Sequence, residues 1–264
     1  MAGEKRRGWA KWLTRIGLML AIGAPLAALI AGHGSGEGWW DFRPALRALA
    51  FLLAAALLGA LLSLIAFALN MAAKRRGAAA ANFAALFIAG IFIGFLGSNI
   101  MDARRAPPIH EVTTNLDDYP EFTALEVRED RLQNVPAFGP AKGEPDDASR
   151  WRAMHRAYYG DIRPLALDLP KARAIDLAQR VARERGWEIA SVNEARGTIE
   201  ATDTTRFFGF KDDVVIRVKE MRGNPGASVV DMRSISRVGI SDLGKNAERV
   251  RAYLADLEAA AARG

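Results

Sequence analysis

Three long apolar runs in the first hundred residues constrain the fold of this chain more than any other feature. No charged residue lies between Ile16 and Gly36, and the runs Ala48–Ala73 and Ala78–Met101 are also free of charge. A helix needs roughly 20 apolar residues to cross the hydrocarbon core of a bilayer. The sequence therefore predicts three membrane-spanning helices within residues 1–101, the first of them over Leu13–Ala31.

The first run has an alternative interpretation, because a basic start before an apolar stretch is also typical of a cleaved signal peptide. Its apolar stretch is longer than the roughly 7–15 residues usual in such peptides, which favours a retained helix. Tryptophans lie near both edges of this first span, where an indole gains from a wet and an apolar layer. These are Trp9, Trp12, Trp39 and Trp40.

The basic residues beside the spans predict the orientation of the chain. Five lie in the N-terminal tail (Lys5, Arg6, Arg7, Lys11 and Arg15) and three in the tight turn at Lys74–Arg76. The loop between the first two spans carries Arg43 and Arg47, and the segment after the third span opens with Arg104 and Arg105. Lys and Arg accumulate on the cytoplasmic side of a membrane. We therefore expect a multi-pass membrane protein with a cytoplasmic N-terminus and residues 102–264 on the opposite side of the membrane.

The composition argues against several classes of function. The formal charge of +6 is explained by the flanks of the spans, and no base-reading element follows, so nucleic acid is not an expected partner. The chain has no cysteine and three scattered histidines, which leaves no expected metal site or cofactor. No ionisable residue lies deep in a span, as a proton relay or transporter would need. The spacing of Gly90 and Gly94 in the third span is typical of close helix approach or simply of membrane helices.

The rest of the chain divides into two parts. Residues 102–148 are rich in Pro, Asp, Glu and Gly, and predict an extended tether that runs along the folded domain. Residues 149–264 predict a soluble α+β domain that starts with a short helix over Ser149–Tyr159.

The periodicity of the last hundred residues predicts an antiparallel sheet packed by two helices. The first helix opens at Pro170 and stops at Gly186, after an imperfect edge strand within Ile162–Leu169. Four strands separated by turn signals follow: Trp187–Val192, Gly197–Asp203, Asp213–Glu220 and Ala227–Ser236. The sheet is thus expected to have four to five strands.

The final helix is predicted to begin with Ser241 as its N-cap and Asp242 beside its positive end. Its apolar stripe contains Leu243, Ala247, Val250, Leu254, Leu257 and Ala261. Strand parity places Val214, Ile216 and Val218 on the face that receives the helices. The opposite face would carry Glu200, Arg217, Asp231 and Arg233, which we interpret as a solvated ladder of opposite charges.

Two segments of this domain carry a resemblance to a known family. The runs GTIEATDTTRFFGFKDDVVIRV and VDMRSISRVGISDLGKNAERVRAYLADL resemble the C-terminal signature of the domain of unknown function 1499 family (DUF 1499), over roughly 106–259. The family motif falls on Phe210, Asp212, Asp213, Arg217, Arg233, Ser234, Ser236, Arg237, Gly239, Ser241, Asp242, Gly244, Asn246 and Arg249. The resemblance implies a bacterial origin but no activity. For a bacterium with two membranes, the expected orientation implies an inner-membrane protein with residues 102–264 in the periplasm. The order of elements is similar in outline to helix-grip modules.

The crowded stretch from Arg206 to Val218 has three interpretations. Catalysis by Asp212 and Asp213 is disfavoured, because neighbouring residues of a strand face opposite sides of the sheet. A structural interpretation has one of these carboxylates accept hydrogen bonds from the SRVGISD turn and pair with Arg237 or Arg233. A third interpretation makes the FFGF and SRVGISD loops a recognition surface.

The sequence therefore predicts a non-catalytic module that binds or organises envelope components, with the bilayer, an envelope protein or an anionic lipid as partner. The alternative is a membrane-bound hydrolase that uses acidic residues of the 203–213 region. The candidate binding residues are Arg206, Phe207, Phe208, Phe210, Lys211, Asp212, Asp213, Arg233, Ser234, Arg237 and Asp242. No catalytic residue and no metal ligand is predicted.

Overall fold

The structure, a computed structural model, describes residues 2–125, 148–239 and 241–263. These residues form two compact units. The first is Met1–Asp102 together with Arg206–Gly209, and the second is Ala103–Thr205 together with Phe210–Gly264. Most of the second half of the predicted tether, residues 126–147, lies outside the described residues.

The first unit contains three long helices, α1 (Ala2–Gly36), α2 (Phe42–Ala72) and α3 (Arg76–Arg105). Each is long and apolar enough to cross a membrane. The Asp41 side chain accepts a hydrogen bond from the Arg43 N–H (2.8 Å) and so caps the start of α2. The three apolar runs of the sequence are thus three helices, as predicted.

Small and polar residues join these helices. A Cβ at Gly59 of α2 would lie 2.4 Å from the backbone nitrogen of Ala21 in α1, so only glycine allows this approach. The Thr14 hydroxyl oxygen accepts hydrogen bonds from the side-chain amides of Asn70 (3.0 Å) and Asn82 (3.1 Å). One residue from each helix thus contributes to a shared polar contact, which the sequence interpretation did not include.

Two further features of the first unit concern predicted residues. No described atom lies within 4 Å of a Cβ built at Gly90 or Gly94, so these glycines do not mediate close packing among the described helices. The turn Arg206–Gly209 groups with this unit, where the Phe208 N–H donates to the carbonyl oxygen of Gly32 (3.0 Å). The carbonyl oxygen of Phe208 accepts from the Ser35 hydroxyl (3.1 Å).

The second unit is an antiparallel sheet with helices on one face, which confirms the predicted α+β class. Its strands are β1 (Glu111–Thr113), β2 (Leu165–Leu167), β3 (Glu188–Asn193), β4 (Thr198–Thr204), β5 (Lys211–Met221) and β6 (Asn224–Ser236). The described residues thus form six strands, one more than the four to five predicted. The strand β2 lies within the predicted edge strand, whereas β1 was not predicted; each has three residues. The sheet order is β1-β6-β5-β4-β3, and β2 also pairs with β6.

Three helices of this unit are α4 (Ala148–Tyr159), α5 (Lys171–Glu184) and α6 (Lys245–Ala261). Val214, Ile216 and Val218 of β5 are buried with residues from all three helices in one core. Trp151 and Tyr159 of α4 belong to that core. The short helix predicted here therefore packs on the sheet together with the two helices that were expected to cover it. Gly197 in the β3–β4 turn is required, since a Cβ there would lie 2.2 Å from the Val218 carbonyl oxygen.

The opposite face of the sheet is not the solvated ladder that the sequence suggested. Glu200, Asp231 and Arg233 are all buried. Phe122 packs on Val215 and Ile235 of this face, and neighbouring backbone groups bond its charged side chains. The solvated interpretation was wrong because residues 115–125, which carry no strand periodicity, cover the face; we name them the strap.

Candidate functional site

The candidate site lies where β4, β5 and β6 meet at one end of the sheet. Asp203 of β4 lies opposite Asp212 of β5, and Asp212 lies opposite Ser236 of β6. Asn246 and Arg249, near the start of α6, bond to these strands. We call this group the polar end, and its members are Thr202, Asp203, Asp212, Asp213, Ser234, Ser236, Arg237, Asp242, Asn246 and Arg249.

Arg249 bridges two carboxylates on the helix-covered face. Its Nε donates to Asp203 Oδ2 (2.8 Å) and its Nη2 donates to Asp212 Oδ2 (2.5 Å). Burial alone would lower the pKa of Arg249, but the negative charges of Asp212 and Asp203 outweigh burial and raise it. The guanidinium therefore stays charged, and it fixes β4, β5 and α6 relative to one another.

Asn246 uses both ends of its buried side-chain amide. Its Oδ1 accepts from the Ser234 hydroxyl (2.6 Å) and from Arg249 Nη1 (2.6 Å). Its Nδ2 donates to the Ser236 hydroxyl oxygen (3.0 Å) and to the His110 carbonyl oxygen (2.9 Å). A side chain with four such bonds has one orientation, so Asn246 links β6 to the chain before β1.

Asp213 is bonded on the other face of the sheet. Arg237 donates to it through Nη2 (2.8 Å to Oδ1) and Nε (3.1 Å to Oδ2), and the Thr202 hydroxyl donates to Oδ1 (2.8 Å). Asp213 is fully buried, whereas the Arg237 side chain remains 21% exposed. The predicted pairing of an Asp212 or Asp213 carboxylate with Arg237 is therefore present, and a bidentate pair fixes the start of the SRVGISD loop.

Asp242 lies beside the start of the last helix, as predicted, but the helix starts later than predicted. The Asp242 side chain accepts from the N–H groups of Gly244 (2.9 Å) and Asn246 (2.6 Å). Burial raises the pKa of Asp242 although these bonds oppose it. The residue at the N-cap position is Gly244 and not Ser241, because Gly244 adopts a left-handed backbone (φ +83°) that separates the loop from α6.

The loop between β6 and α6 also binds the segment of chain that follows α3. The Ser241 hydroxyl donates to the Pro107 carbonyl oxygen (2.9 Å), and the Asp242 N–H donates to that of Ile109 (3.2 Å). The His110 carbonyl oxygen accepts from the Ser236 N–H (2.9 Å) as well as from Asn246. We name Pro107–His110 the exit segment. Three of its carbonyl groups are thus bound by residues of the family motif.

Glu200 anchors the strap to the opposite sheet face. Its carboxylate accepts hydrogen bonds from the backbone N–H groups of Thr123 (2.8 Å), Ala124 (2.9 Å) and Leu125 (2.9 Å). The Thr123 hydroxyl adds a fourth donor (2.6 Å). Consecutive backbone N–H groups that converge on one carboxylate form an anion-binding nest. This nest is occupied by the chain's own side chain.

Two arginines bind the carbonyl groups of the strap. Arg217 donates to the Tyr119 carbonyl oxygen (3.3 Å) and to the Asp231 carboxylate (2.8 Å). Arg233 donates to the Pro120 carbonyl oxygen (3.2 Å) and forms a buried ion pair with Glu111 of β1. Burial raises the pKa of Glu111 to about 7, although the charge of Arg233 opposes the shift. The charged residues of this face therefore serve to bind the strap.

The polar end offers little for acid–base or nucleophilic chemistry. Asp203 and Asp212 share Arg249, and Asp213 is bound by Arg237 and Thr202. Asp212 and Asp213 face opposite sides of the sheet, as their partners show. Within the described ranges no three His, Asp or Glu side chains are gathered as a metal ion would require. The chemistry of the site is that of a structural network.

The predicted binding residues separate into exposed and buried groups. Arg206, Phe207 (48%) and Lys211 are exposed, and Phe208, Phe210 and Arg237 are partly exposed. Arg206, Phe207 and Phe208 belong to the first unit, and the remaining candidates belong to the second. Arg233, Ser234, Asp212, Asp213 and Asp242 are buried within the two networks. A partner could reach only the first group directly.

Several residues of these networks were absent from the predicted set. Asn246 and Arg249 are on the motif, but their role depends on α6 facing the ends of the strands. Glu111 belongs to a strand of three residues, which is too short to show a period of two. The N–H groups of Thr123–Leu125 are backbone groups, so no residue type in the sequence marks them.

The comparisons with known proteins agree with the motif. The family described as "Protein of unknown function (DUF1499)" matches residues 111–257. No curated protein matches the chain. The matched range contains β1 and the polar end but none of the three apolar helices.

Proposed function

The chain belongs to the DUF1499 family, and because that family carries no known activity we propose a function from the chain's own residues. The protein is a bacterial inner-membrane protein with a cytoplasmic N-terminus. Its three helices hold the second unit in the periplasm, where the unit binds or organises envelope components without catalysing a reaction.

The orientation is supported by the distribution of basic residues. The N-terminal tail and the turn between α2 and α3 carry most of the Lys and Arg near the helix ends. Three crossings from a cytoplasmic N-terminus bring Asp102 and everything after it to the far side. The basic residues of the turn between α2 and α3 are good evidence for orientation, because the positive-inside rule holds best for short loops.

The assignment as a binding module depends on one observation, namely that the carboxylates of the 203–213 region are already bound. A general acid or base needs an open position beside the substrate proton. Asp203, Asp212 and Asp213 instead face Arg249 and Arg237. No observation favours the hydrolase alternative, since a bound carboxylate would first have to lose its arginine.

Rigid loops are suited to recognition because little conformational entropy is lost when they bind. The polar end fixes the loop that follows β6 through Asp213, Asp242 and Asn246. Exposed side chains beside this network, such as Lys211, are then held in defined positions. Such an arrangement favours a partner with a polar or anionic surface.

Photo-crosslinking from the full chain in cells tests the proposed binding. A photoreactive residue replaces Lys211 at the polar end, and the control replaces Arg222, which is exposed in the β5–β6 turn at the opposite end of β5. We expect a defined adduct with an envelope component from position 211 and none from position 222. The same adducts from both positions, or none from either, would contradict the proposal.

A further inference from the structure

Leu243 departs from the pattern that the sequence suggests for it. It continues the apolar stripe of α6, whose Ala247, Val250 and Leu257 are buried. Yet α6 begins only at Lys245, and Leu243 is 45% exposed. Its φ of +57° is a backbone conformation that a bulky residue rarely adopts. A large apolar side chain is therefore held outward by an unfavourable backbone, and such an arrangement is a reason to look for a binding role.

The loop that carries Leu243 is bound to the chain just beyond α3. The Ser241 hydroxyl oxygen accepts from the Leu243 N–H (3.2 Å), and the same hydroxyl donates to the carbonyl oxygen of Pro107 (2.9 Å). Asp242, next in the chain, donates its N–H to the carbonyl oxygen of Ile109. Both sides of this contact belong to the second unit. Leu243 thus stays close to the exit segment.

The length of chain between the apolar part of α3 and Pro107 limits how far this loop is from the bilayer. Met101 is the last residue before the first charge, and α3 continues to Arg105. Four helical residues rise about 6 Å, and two extended residues add at most about 7 Å. The headgroup layer is about 5–8 Å thick on each side of the hydrocarbon core. Pro107 is therefore within that layer or at most about 8 Å beyond it.

The charges near the loop match an anionic surface. Arg104 and Arg105 lie in the last turn of α3, where they outnumber the one acidic residue, Asp102. Lys245 is exposed two residues after Leu243, where it also contacts Glu248 (2.8 Å). Lys211 lies beside the start of the loop, since its carbonyl oxygen accepts the Arg237 N–H (3.0 Å). An apolar side chain among cations is the composition that binds the interface of a membrane with acidic lipids.

A protein partner fits these observations less well. A specific protein interface buries about 800 Å² on each side around a cluster of apolar side chains. The loop offers Leu243 as a single large, strongly exposed apolar residue among its described positions. One apolar side chain with flanking cations is sufficient for contact with a lipid surface, because the chain that leaves α3 already keeps the loop near the bilayer.

We propose that the described loop residues Ser241–Gly244 rest on the headgroup layer at the outer end of α3, with Leu243 inserted into it and anionic phospholipid as the preferred surface. This inference rests on the proposed crossing of the bilayer by α3. It explains the exposure of Leu243 and names a partner for the polar end. The buried network behind the loop holds Leu243 in position for this contact.

Fluorescence quenching in nanodiscs tests the contact with the full chain. The protein has no cysteine, so Leu243→Cys can be labelled with one environment-sensitive fluorophore, and Arg222→Cys provides a matched exposed control. The strand β5 has 11 residues, so the two ends of the sheet that carry the label and the control are about 35 Å apart. The discs contain phosphatidylethanolamine and phosphatidylglycerol in a ratio of about 3:1, with a nitroxide on a fraction of the acyl chains near the headgroup.

We expect quenching at position 243 to exceed that at position 222 by about threefold or more, with a smaller difference in discs of phosphatidylcholine alone. Equal quenching at both positions in the anionic discs would overturn the proposal. A blue-shifted but unquenched fluorophore at position 243 would also overturn it, because protein and not lipid would then cover the site. Both faces of a nanodisc are open to solvent, so this result does not depend on which side of the cell membrane the unit occupies.

Discussion

Asp213 and Arg237 form a bidentate ion pair in which the carboxylate is fully buried and the guanidinium is partly exposed at the protein surface. The pair joins β5 to the loop that follows β6. Removing one partner of such a pair leaves a buried charge without its counterion, which costs about 3–5 kcal/mol for fully buried pairs. The partial exposure of Arg237 reduces this cost.

We therefore predict that Arg237→Ala lowers the local stability of β5 and β6 by about 2–3 kcal/mol. Hydrogen exchange of the β5 and β6 amides in the detergent-solubilised full chain would then accelerate by roughly 30- to 150-fold. Arg222→Ala, in the exposed β5–β6 turn, is the control and should change exchange little. Unchanged exchange in Arg237→Ala would show that the pair does not hold the loop.

A second prediction concerns the coupling between Asp212 and Arg249. Arg249→Met should destabilise the second unit by about 3 kcal/mol, because Asp212 remains buried without its partner. The double variant Asp212→Asn with Arg249→Met should lose less than the sum of the two single variants. Thermal unfolding of all four proteins measures this coupling. Strict additivity would mean that the bridge contributes no net interaction.

A third prediction concerns pH and His155. Its Nε2 accepts the Thr113 N–H (3.1 Å), which a protonated imidazole cannot do, and burial lowers its pKa to about 4 from 6.5. The folded state therefore favours the neutral form. This contribution to stability is complete above pH 6.5 and is lost as the pH falls towards 4.

The difference between the wild-type chain and His155→Gln isolates this effect from that of other groups. Between pH 6.5 and pH 4 the wild-type second unit should lose about 3 kcal/mol that the variant does not lose. Chemical denaturation at several pH values, monitored by hydrogen exchange in α4 and β1, provides the measurement. Parallel curves for the two proteins would contradict the assigned titration.

A fourth prediction concerns the strap. Glu200→Gln keeps the shape of the side chain but replaces one accepting oxygen with an NH2 group, which can only donate. It also removes the negative charge that the backbone N–H groups of Thr123–Leu125 bind. Exchange of the strap amides should accelerate by about tenfold or more. Glu220→Gln, on an exposed position of β5, is the control. If both variants behave alike, Glu200 does not fasten the strap.

The parts of the fold that follow hydrophobic period could be predicted from the sequence. The three apolar helices follow from charge-free runs of sufficient length, and α5 and strands β3 to β6 follow from their hydrophobic period and the turn residues at their ends. Opposite facing of Asp212 and Asp213 followed from strand geometry alone. A pair between Asp212 or Asp213 and Arg237 or Arg233 could be anticipated from opposite charges on neighbouring segments, but the sequence did not distinguish among these pairings.

The remaining features depend on contacts between segments far apart in the chain. The charged face carrying Glu200 and Arg233 looked solvated because the covering strap has no regular pattern of its own. Leu243 was expected to be buried because it continues the apolar spacing of α6. The left-handed backbone at Gly244 separates it from the helix, and the residue pattern does not reveal that conformation. The exit segment is held through its carbonyl groups, which every residue type provides.

The central claim is that three crossings place the second unit on the periplasmic side. Labelling of intact cells with a membrane-impermeant maleimide tests it, because the chain has no cysteine and each variant carries a single thiol. In the full chain, Arg222→Cys reports on the second unit, and Arg76→Cys reports on the turn between α2 and α3. We predict labelling of the first variant in intact cells once the outer membrane is permeabilised, and of the second only after lysis. The reverse pattern would contradict the account.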